Sequence, residues 1–428
     1  VNNERLLGFS FRFLHFQSTI MRHIEPIARF KKIIYTIGLI NFLFTFHLAV
    51  TAYIDSSYLS LFASQRFVGG IYMAAAGVTV LAFFLIYRVL KRFGDYATSI
   101  GLLTLDALSM IGIIWGQYPV VIEISFIINM AILALVSFTY DVFLETYTDV
   151  AHTGGVRGFF LALTNSAWIL SPLVAGMLVI GHVYTNVYIV ALAMLVPVFY
   201  LAHKNLRHFH DSHYESPSAW ATIREVADLP DIWKLCIINT VLQTFYCWMV
   251  IYLPLYLANT IGFDWSSIGI ILTIMLLPFI LIQAPFGRIA DQGWGEKRLM
   301  IIGFFIMGAA TIALCFIHVP SMIIWAGALF ATRCGAALAE VMIETYFFKK
   351  VKPQDSNVLS LFRTTRQIPY FIAPIITVVG LIFTSSAGLF IVLGSICLVT
   401  IFLIAFIKDT DRHAKANDGV VMTIGKFT

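Results

Sequence analysis

The chain has 428 residues, of which 59% are hydrophobic and only 12% charged, and its mean hydropathy is +0.86. Soluble domains are roughly half apolar, so this composition excludes a water-soluble globular protein. The formal charge of +5 does not point to nucleic acid, because the basic residues are scattered over short loops instead of lining a soluble face.

Residues 1–32 form a basic, Phe-rich amino-terminal segment with no evident cleavable signal. Val1 opens the chain and Met21 stands just before Lys31 and Lys32, so this stretch reads either as an interfacial segment or as a misplaced gene start. A spanning helix needs about 20 mostly apolar residues, and windows of that kind follow one another. They cover 33–54, 67–89, 97–117, 119–145, 157–180 and 185–202, then 235–258, 266–286, 299–318, 321–346, 361–383 and 386–407. The state expected for each is helix, since a lone strand would leave backbone groups unpaired in lipid; the alternation of a membrane β-barrel is absent. The expected fold is therefore an all-α membrane protein of twelve transmembrane helices, with six-helix bundles at 33–202 and 235–407.

A polar linker, 203–234, joins the bundles, and residues 408–428 form a tail. The linker carries His203, His208, His210 and His213, but their irregular spacing reads as a solvated tether and not a metal site, and Trp220, Ile223 and Val226 suggest a short surface helix. The five cysteines, Cys236, Cys247, Cys315, Cys334 and Cys397, fall in apolar windows without ligand spacing and read as small core residues.

Lys and Arg are sorted by side. The amino-terminal segment, alternate loops, linker and tail hold 26 of the 28, leaving Arg66 on the other side and Arg333 inside a window. The positive-inside rule then puts both termini and the linker in the cytoplasm and favours an even helix count. The expected location is the plasma membrane.

The halves repeat one another. Glu145-Thr146-Tyr147 recurs as Glu344-Thr345-Tyr346, Pro172 recurs as Pro374, and Gly94 recurs as Gly295, all at offsets near 200 residues. Duplicating six helices restores the same orientation, which gives parallel repeats with a cavity at their seam.

The segment Gly287-Arg288-Ile289-Ala290-Asp291-Gln292-Gly293-Trp294-Gly295-Glu296-Lys297-Arg298 resembles the cytoplasmic signature of the major facilitator superfamily. With the six-plus-six layout and the repeat, that resemblance spans the chain from the first helix to the twelfth. It implies that Asp291 caps the fifth helix near Arg157, and that Gly287, Gly295, Lys297 and Arg298 belong to a cytoplasmic gate with Glu145, Glu344, Arg363 and Arg366. The first-half copy departs from the pattern, with Tyr87 in place of the first glycine and Lys91 in place of the acid. Arg363 and Arg366 are expected to pair with a loop acid or with Glu340 or Glu344.

Charges inside a bilayer are expensive and mark pathways or pairs. Asp106 and Glu340 are therefore candidates for carrying a proton or forming an ion pair, with the structural pair favoured for Asp106. Arg333 has two readings, contact with an anionic part of a solute or an ion pair with Asp106 or Glu340. It projects opposite the small-residue stripe Gly327, Ala331, Gly335 and Ala339. The resemblance implies that the first, fourth, seventh and tenth helices line the cavity, which nominates Asn41, His47, Asn129, Gln243, Tyr246 and Trp248 beside Arg333. No Walker loop, HExxH or nucleophile elbow suggests an enzyme, and no cofactor is expected. The expected activity is secondary transport of a small solute by alternating access, with proton coupling left open, in a lipid-embedded monomer. The competing reading is a non-transporting receptor or lipid-modifying protein on the same scaffold.

Overall fold

The computed structural model describes residues 35–147, 153–180, 183–207, 224, 229–289, 295–351, 358, 362, 365–366 and 368–408. Among these residues the chain is almost wholly helical, with one isolated β-bridge between Ile180 and Val183. We label the apolar helices α1 (Tyr35–Ala52), α2 (Phe67–Ile86), α3 (Arg88–Trp115), α4 (Pro119–Tyr147), α5 (Thr153–Leu178), α6 (Thr185–Leu206), α7 (Pro230–Ile261), α8 (Trp265–Leu281), α9 (Glu296–Leu314), α10 (Met322–Lys350), α11 (Pro369–Phe383) and α12 (Gly388–Ala405). Nine helices of the described residues are long and apolar enough to cross a membrane, while the apolar runs of α5, α8 and α11 are shorter. Every window read from the sequence falls on one of these helices, although α11 starts at Pro369, later than expected.

The repeat is visible in the backbone. α2 and α3 form one helical run, Gln65–Trp115, broken at Gly94 with φ 77°, and α9 starts after Gly295 with φ 75°. Positive φ costs a glycine nothing and strains most other residues, so the two positions carry the same turn in both halves. An acid follows each glycine: Asp95 and Glu296 are both buried. A carboxylate at the start of a helix meets the positive end of its dipole, and Glu296 also pairs with Lys349 of α10.

The halves meet where glycine removes a side chain. A Cβ on Gly269 of α8 would lie 2.6 Å from the Pro172 carbonyl of α5 and 3.1 Å from the Gly176 Cα. A Cβ on Gly69 of α2 would lie 3.5 Å from the Pro374 Cβ of α11. Gly69 and Gly269 are 200 residues apart and Pro172 and Pro374 are 202 apart, so the two crossings are repeats of one contact. Beside them, Trp265 Nε1 donates to the Tyr184 hydroxyl at 3.0 Å across the same seam.

These contacts sit toward the end of the bundle away from the linker, and the core follows them. A large apolar core unites all of the second half with Val50, Tyr53, Val68, Ile169 and Tyr188 of the first. The linker end of the first half has a separate core built from its own residues, among them Ile40, Phe44, Leu90, Val136, Phe143 and Val198. The halves are thus fused at one end and packed independently at the other.

The closeness of α5 and α8 gives an expected mutant. Gly269→Val should lower thermal stability through overpacking, by about 1–3 kcal/mol. Gly70→Val, where a Cβ meets nothing within 4 Å, should change it by about 0.5 kcal/mol or less. Thermal unfolding of the two purified variants checks the contact, and equal losses would refute it.

Candidate functional site

Two polar systems lie inside the helices. The first is closed within the first half, on α1, α3, α4 and α6. His47 Nδ1 lies 2.7 Å from the Ala191 carbonyl, and because a carbonyl only accepts, Nδ1 carries a hydrogen. His47 Nε2 lies 3.1 Å from Asp106 Oδ2, which has no other hydrogen-bond partner among the described residues. Asn129 Nδ2 donates to Asp106 Oδ1 at 2.8 Å and to Ser109 Oγ at 3.0 Å. The Nε2 contact is favourable only with a proton in it, as imidazolium beside carboxylate or as imidazole beside carboxylic acid. The pair is neutral in either form. That is the condition for burying it, and His47 and Asp106 are 1% and 0% exposed. His47 and Asn129, expected on a cavity wall, thus lie in the first half's interior, and the partner of Asp106 is His47 and not Arg333.

The second system crosses the seam. Asn165 of α5 donates to Gln283 at 3.4 Å, and Gln283, just beyond α8, donates to Glu340 of α10 at 2.9 Å. The Tyr246 hydroxyl of α7 sits between the Ala336 carbonyl, 3.3 Å away, and Glu340. Toward the linker end, Arg366 holds Glu344 at 3.0 Å. Asn41 of α1 donates to Thr164 of α5 at 3.0 Å. Asn41, Thr164, Asn165, Gln283, Tyr246 and Glu340 are all half-buried, as befits polar groups beside a partly open seam.

Arg333 borders the second system without a hydrogen bond to it. Gly335 and Ala339 press against Gly303 of α9, so the small-residue stripe packs away from α7, while the guanidinium lies over the rings of Phe245 and Tyr246 at 4.9 and 5.1 Å. It is 1% exposed, and its Nε and Nη1 have no hydrogen-bond partner. Trp248 is buried and donates to Thr377 of α11 at 3.0 Å, and Gln243 is half-buried on α7.

Of the gate residues, Asp291 and Arg363 lie outside the described residues, as do the side chains of Glu145 and Arg157. Gly287 lies in the helical turn Gln283–Ile289, and Arg298 is exposed. Lys297 has a different task from the one expected. Its ammonium donates to the Ala405 and Ile407 carbonyls at 2.7 and 2.9 Å, capping the carboxyl end of α12 where a cation is favoured.

With two repeated bundles and a polar seam in view, comparison with known proteins decides the family. A model of the Major Facilitator Superfamily matches residues 33–374 and 248–423. This chain belongs to the Major Facilitator Superfamily. Among solved structures, the POT family transporter PepTSo superposes with a TM-score of 0.71 at 9% identity, covering 88% of this chain and 97% of that one. An auto-inhibited POT family peptide transporter gives 0.70 at 11%, covering 88% and 96%. At such identities the likeness is one of fold. No curated protein matches the sequence.

For this superfamily member, sequence reasoning passed over Asn165, Gln283 and the pair of Tyr188 with Asp55, whose hydroxyl and carboxylate lie 2.7 Å apart. Nothing in their spacing announces these contacts. Gly69 with Gly269 and Asp95 with Glu296 were passed over as well, although the repeat offset near 200 residues relates them. The linker histidines His208, His210 and His213, with Trp220, Ile223 and Val226, lie outside the described residues, while His203 contacts the Tyr96 hydroxyl at 2.7 Å. Among the described residues no cluster of three metal-ligating side chains occurs.

The neutral pair predicts a contrast. Asp106→Ala leaves His47 without its partner and should cost about 3–5 kcal/mol. Asp106→Asn keeps an acceptor for Asn129 and supplies an N–H to Nε2, so it should stay within about 1.5 kcal/mol of wild type. Thermal melts of the two proteins check the contrast, and equal losses for the two substitutions would refute it.

Proposed function

We propose that the protein is a secondary transporter that moves a small solute by alternating access, with twelve spanning helices and its linker and termini in the cytoplasm. The observation that carries this reading is the asymmetric seam. Duplicated glycine–proline crossings join the halves at one end, while a half-buried polar track, Asn165 to Gln283 to Glu340, crosses between them nearer the other. Two rigid bundles that share a core at only one end are arranged to rock. With the basic loops inside, the fused end faces outward and the arrangement is inward-facing.

Half-buried amides and a carboxylate along the seam favour this reading over a non-transporting receptor on the same scaffold, for which an apolar seam would suffice. The plasma membrane, a monomeric state and the absence of enzymatic activity belong to the same proposal. So does the gate: Asp291 with Arg157, and Glu344 with Arg366, would close the cytoplasmic end when the crossings part. Asn41, Gln243, Tyr246, Trp248 and Arg333 belong to the solute pathway. In this reading the proton held between His47 and Asp106 is the coupling proton: it is kept while the pair is buried, where its loss would leave an uncompensated charge, and it leaves in the conformation that opens the pair to water.

Two measurements test the proposal. The Gly69 and Pro374 positions are 3.5 Å apart at Cβ, within the disulfide range of about 3.5–4.5 Å. Gly69→Cys with Pro374→Cys, in a background without the five native cysteines, should stop solute exchange in proteoliposomes when oxidised and release it when reduced. Exchange that continues in the oxidised protein would rule out opening at these crossings. For coupling, an imposed pH gradient should drive accumulation in wild type, whereas Asp106→Asn should exchange solute without accumulating it. Gradient-driven accumulation in Asp106→Asn would exclude Asp106 as the proton site.

A further inference from the structure

Among the described residues Arg333 is the only Lys or Arg that is buried. A guanidinium stays protonated in proteins and presents five N–H donors with no acceptor. Here Nε and Nη1 are shielded from solvent and bonded to nothing. The π faces of Phe245 and Tyr246 stabilise the cation, but they do not replace directional acceptors. No described carboxylate comes within 4.0 Å of the guanidinium nitrogens. The contrast with His47 and Asp106 is sharp, because there the first half leaves the buried pair neutral.

The surroundings describe what is missing. Tyr53, in the turn just past α1, is near enough to act electrostatically on Arg333 and packs edge-on against Trp168 of α5 at 6.1 Å. Tyr246 packs against Phe279 of α8 at 5.8 Å. Aromatic groups from both halves thus gather around one cation at the seam. Glu340, two turns along the same face of α10, is also close enough to act on Arg333 electrostatically and already adds one acid to the site.

We propose that Arg333 anchors the anionic group of the transported solute, and that the solute is an organic monoanion with an aromatic or otherwise apolar body. This rests on the transporter reading and narrows it to a substrate class. One negative charge matches the one guanidinium, and among the described residues no second buried Lys or Arg is at hand to meet a dianion. A neutral solute would leave the buried N–H groups without a charged acceptor, and a cation would repel them. Charge-assisted N–H···O bonds from a guanidinium to a carboxylate are the strong ones, and the rings provide a wall for the apolar body.

The test uses the purified full-length protein. Thermal stabilisation is titrated at fixed ionic strength with benzoate and phenylacetate, with their amides benzamide and phenylacetamide, and with phenyl phosphate. The acids should stabilise the wild type and the amides and phenyl phosphate should not. The apparent affinity should fall about tenfold in R333K, which keeps the charge and loses the fork, and at least about tenfold further in R333Q. If R333Q does not fold, the comparison of acid with amide in wild type and the R333K titration still decide. Equal stabilisation by acid and amide, preference for phenyl phosphate, or an unchanged response in R333K overturns the proposal. In proteoliposomes, exchange of benzenesulfonate, which does not cross lipid in a neutral form, is measured beside glucose and choline. Exchange of glucose or choline without any response to the anions removes the anion site and leaves transport standing. Anion binding that depends on Arg333 with no exchange of any solute keeps the site and removes the transport reading.

Discussion

Hydrocarbon offers no hydrogen bonds, so inside this bundle each polar atom must find its partner in the protein, in water admitted to a cavity, or in a solute. Around His47 the first half solves the problem internally. His47 has acceptors at both ring nitrogens, Asp106 has a donor at each oxygen, and Asn129 and Ser109 complete the set. Such a network fixes α1, α3, α4 and α6 relative to one another, because a helix rotation would strand a buried donor or acceptor at about 1–3 kcal/mol each. The first half can therefore move as a unit. The second half leaves Arg333, the one buried arginine among the described residues, incompletely satisfied at the seam, and the same rule makes that position a place where something else must bind or water must enter.

How the units move follows from where they touch. The crossing of α5 with α8 brings backbone against backbone, and at the crossing of α2 with α11 Gly69 takes up the side chains of Pro374 and Val378; close-packed surfaces of this kind separate or stay together without intermediate stretching. Bulky side chains would hold the helices apart and admit lipid or water. Small residues let two stiff bundles seal with little area, and a small sealed area is also easy to part. The linker end has the opposite character, with separate cores on the two sides and polar groups between them. A structure that is tight and apolar at one end and polar and loosely joined at the other has a built-in direction.

Much of this architecture was legible in the chain itself, because the signals are long and additive. Twenty apolar residues in a row admit few states, and the sorting of 26 basic residues to one side sums many weak preferences. The repeat was legible for the same reason, and the shared positive φ at Gly94 and Gly295 gives it a physical basis. What the sequence hid depends on rotation about helix axes. Whether Asp106 meets His47 or Arg333 turns on which faces of α1, α3 and α10 look inward, and a helix that is apolar on all sides carries little periodic signal. Lys297 illustrates the same limit: it stands inside a family-like loop motif, yet its ammonium caps α12, more than one hundred residues further along the chain.

The division between repeated and unrepeated residues separates scaffold from chemistry. Gly69 and Gly269, Pro172 and Pro374, Gly94 and Gly295, and Asp95 and Glu296 recur at offsets of 200 to 202 residues, and each serves a turn, a crossing or a helix start. Even the acids Glu340 and Glu344 have counterparts in Asp141 and Glu145. Arg333 corresponds to Ala134, and Asp106 falls opposite Phe305, Ile306 and Met307. A duplicated pair of bundles with identical linings would present a symmetric cavity, suited to a symmetric ligand. Placing an incompletely satisfied arginine on one half only gives the seam polarity across its width. A solute with one charged end and one apolar end can be read by such a seam in a single orientation. Removing Arg333 from its place on α10 would leave the fold's repeated framework intact while erasing that distinction, which is why the unrepeated charge, and not the conserved geometry of the crossings, is where specificity should reside.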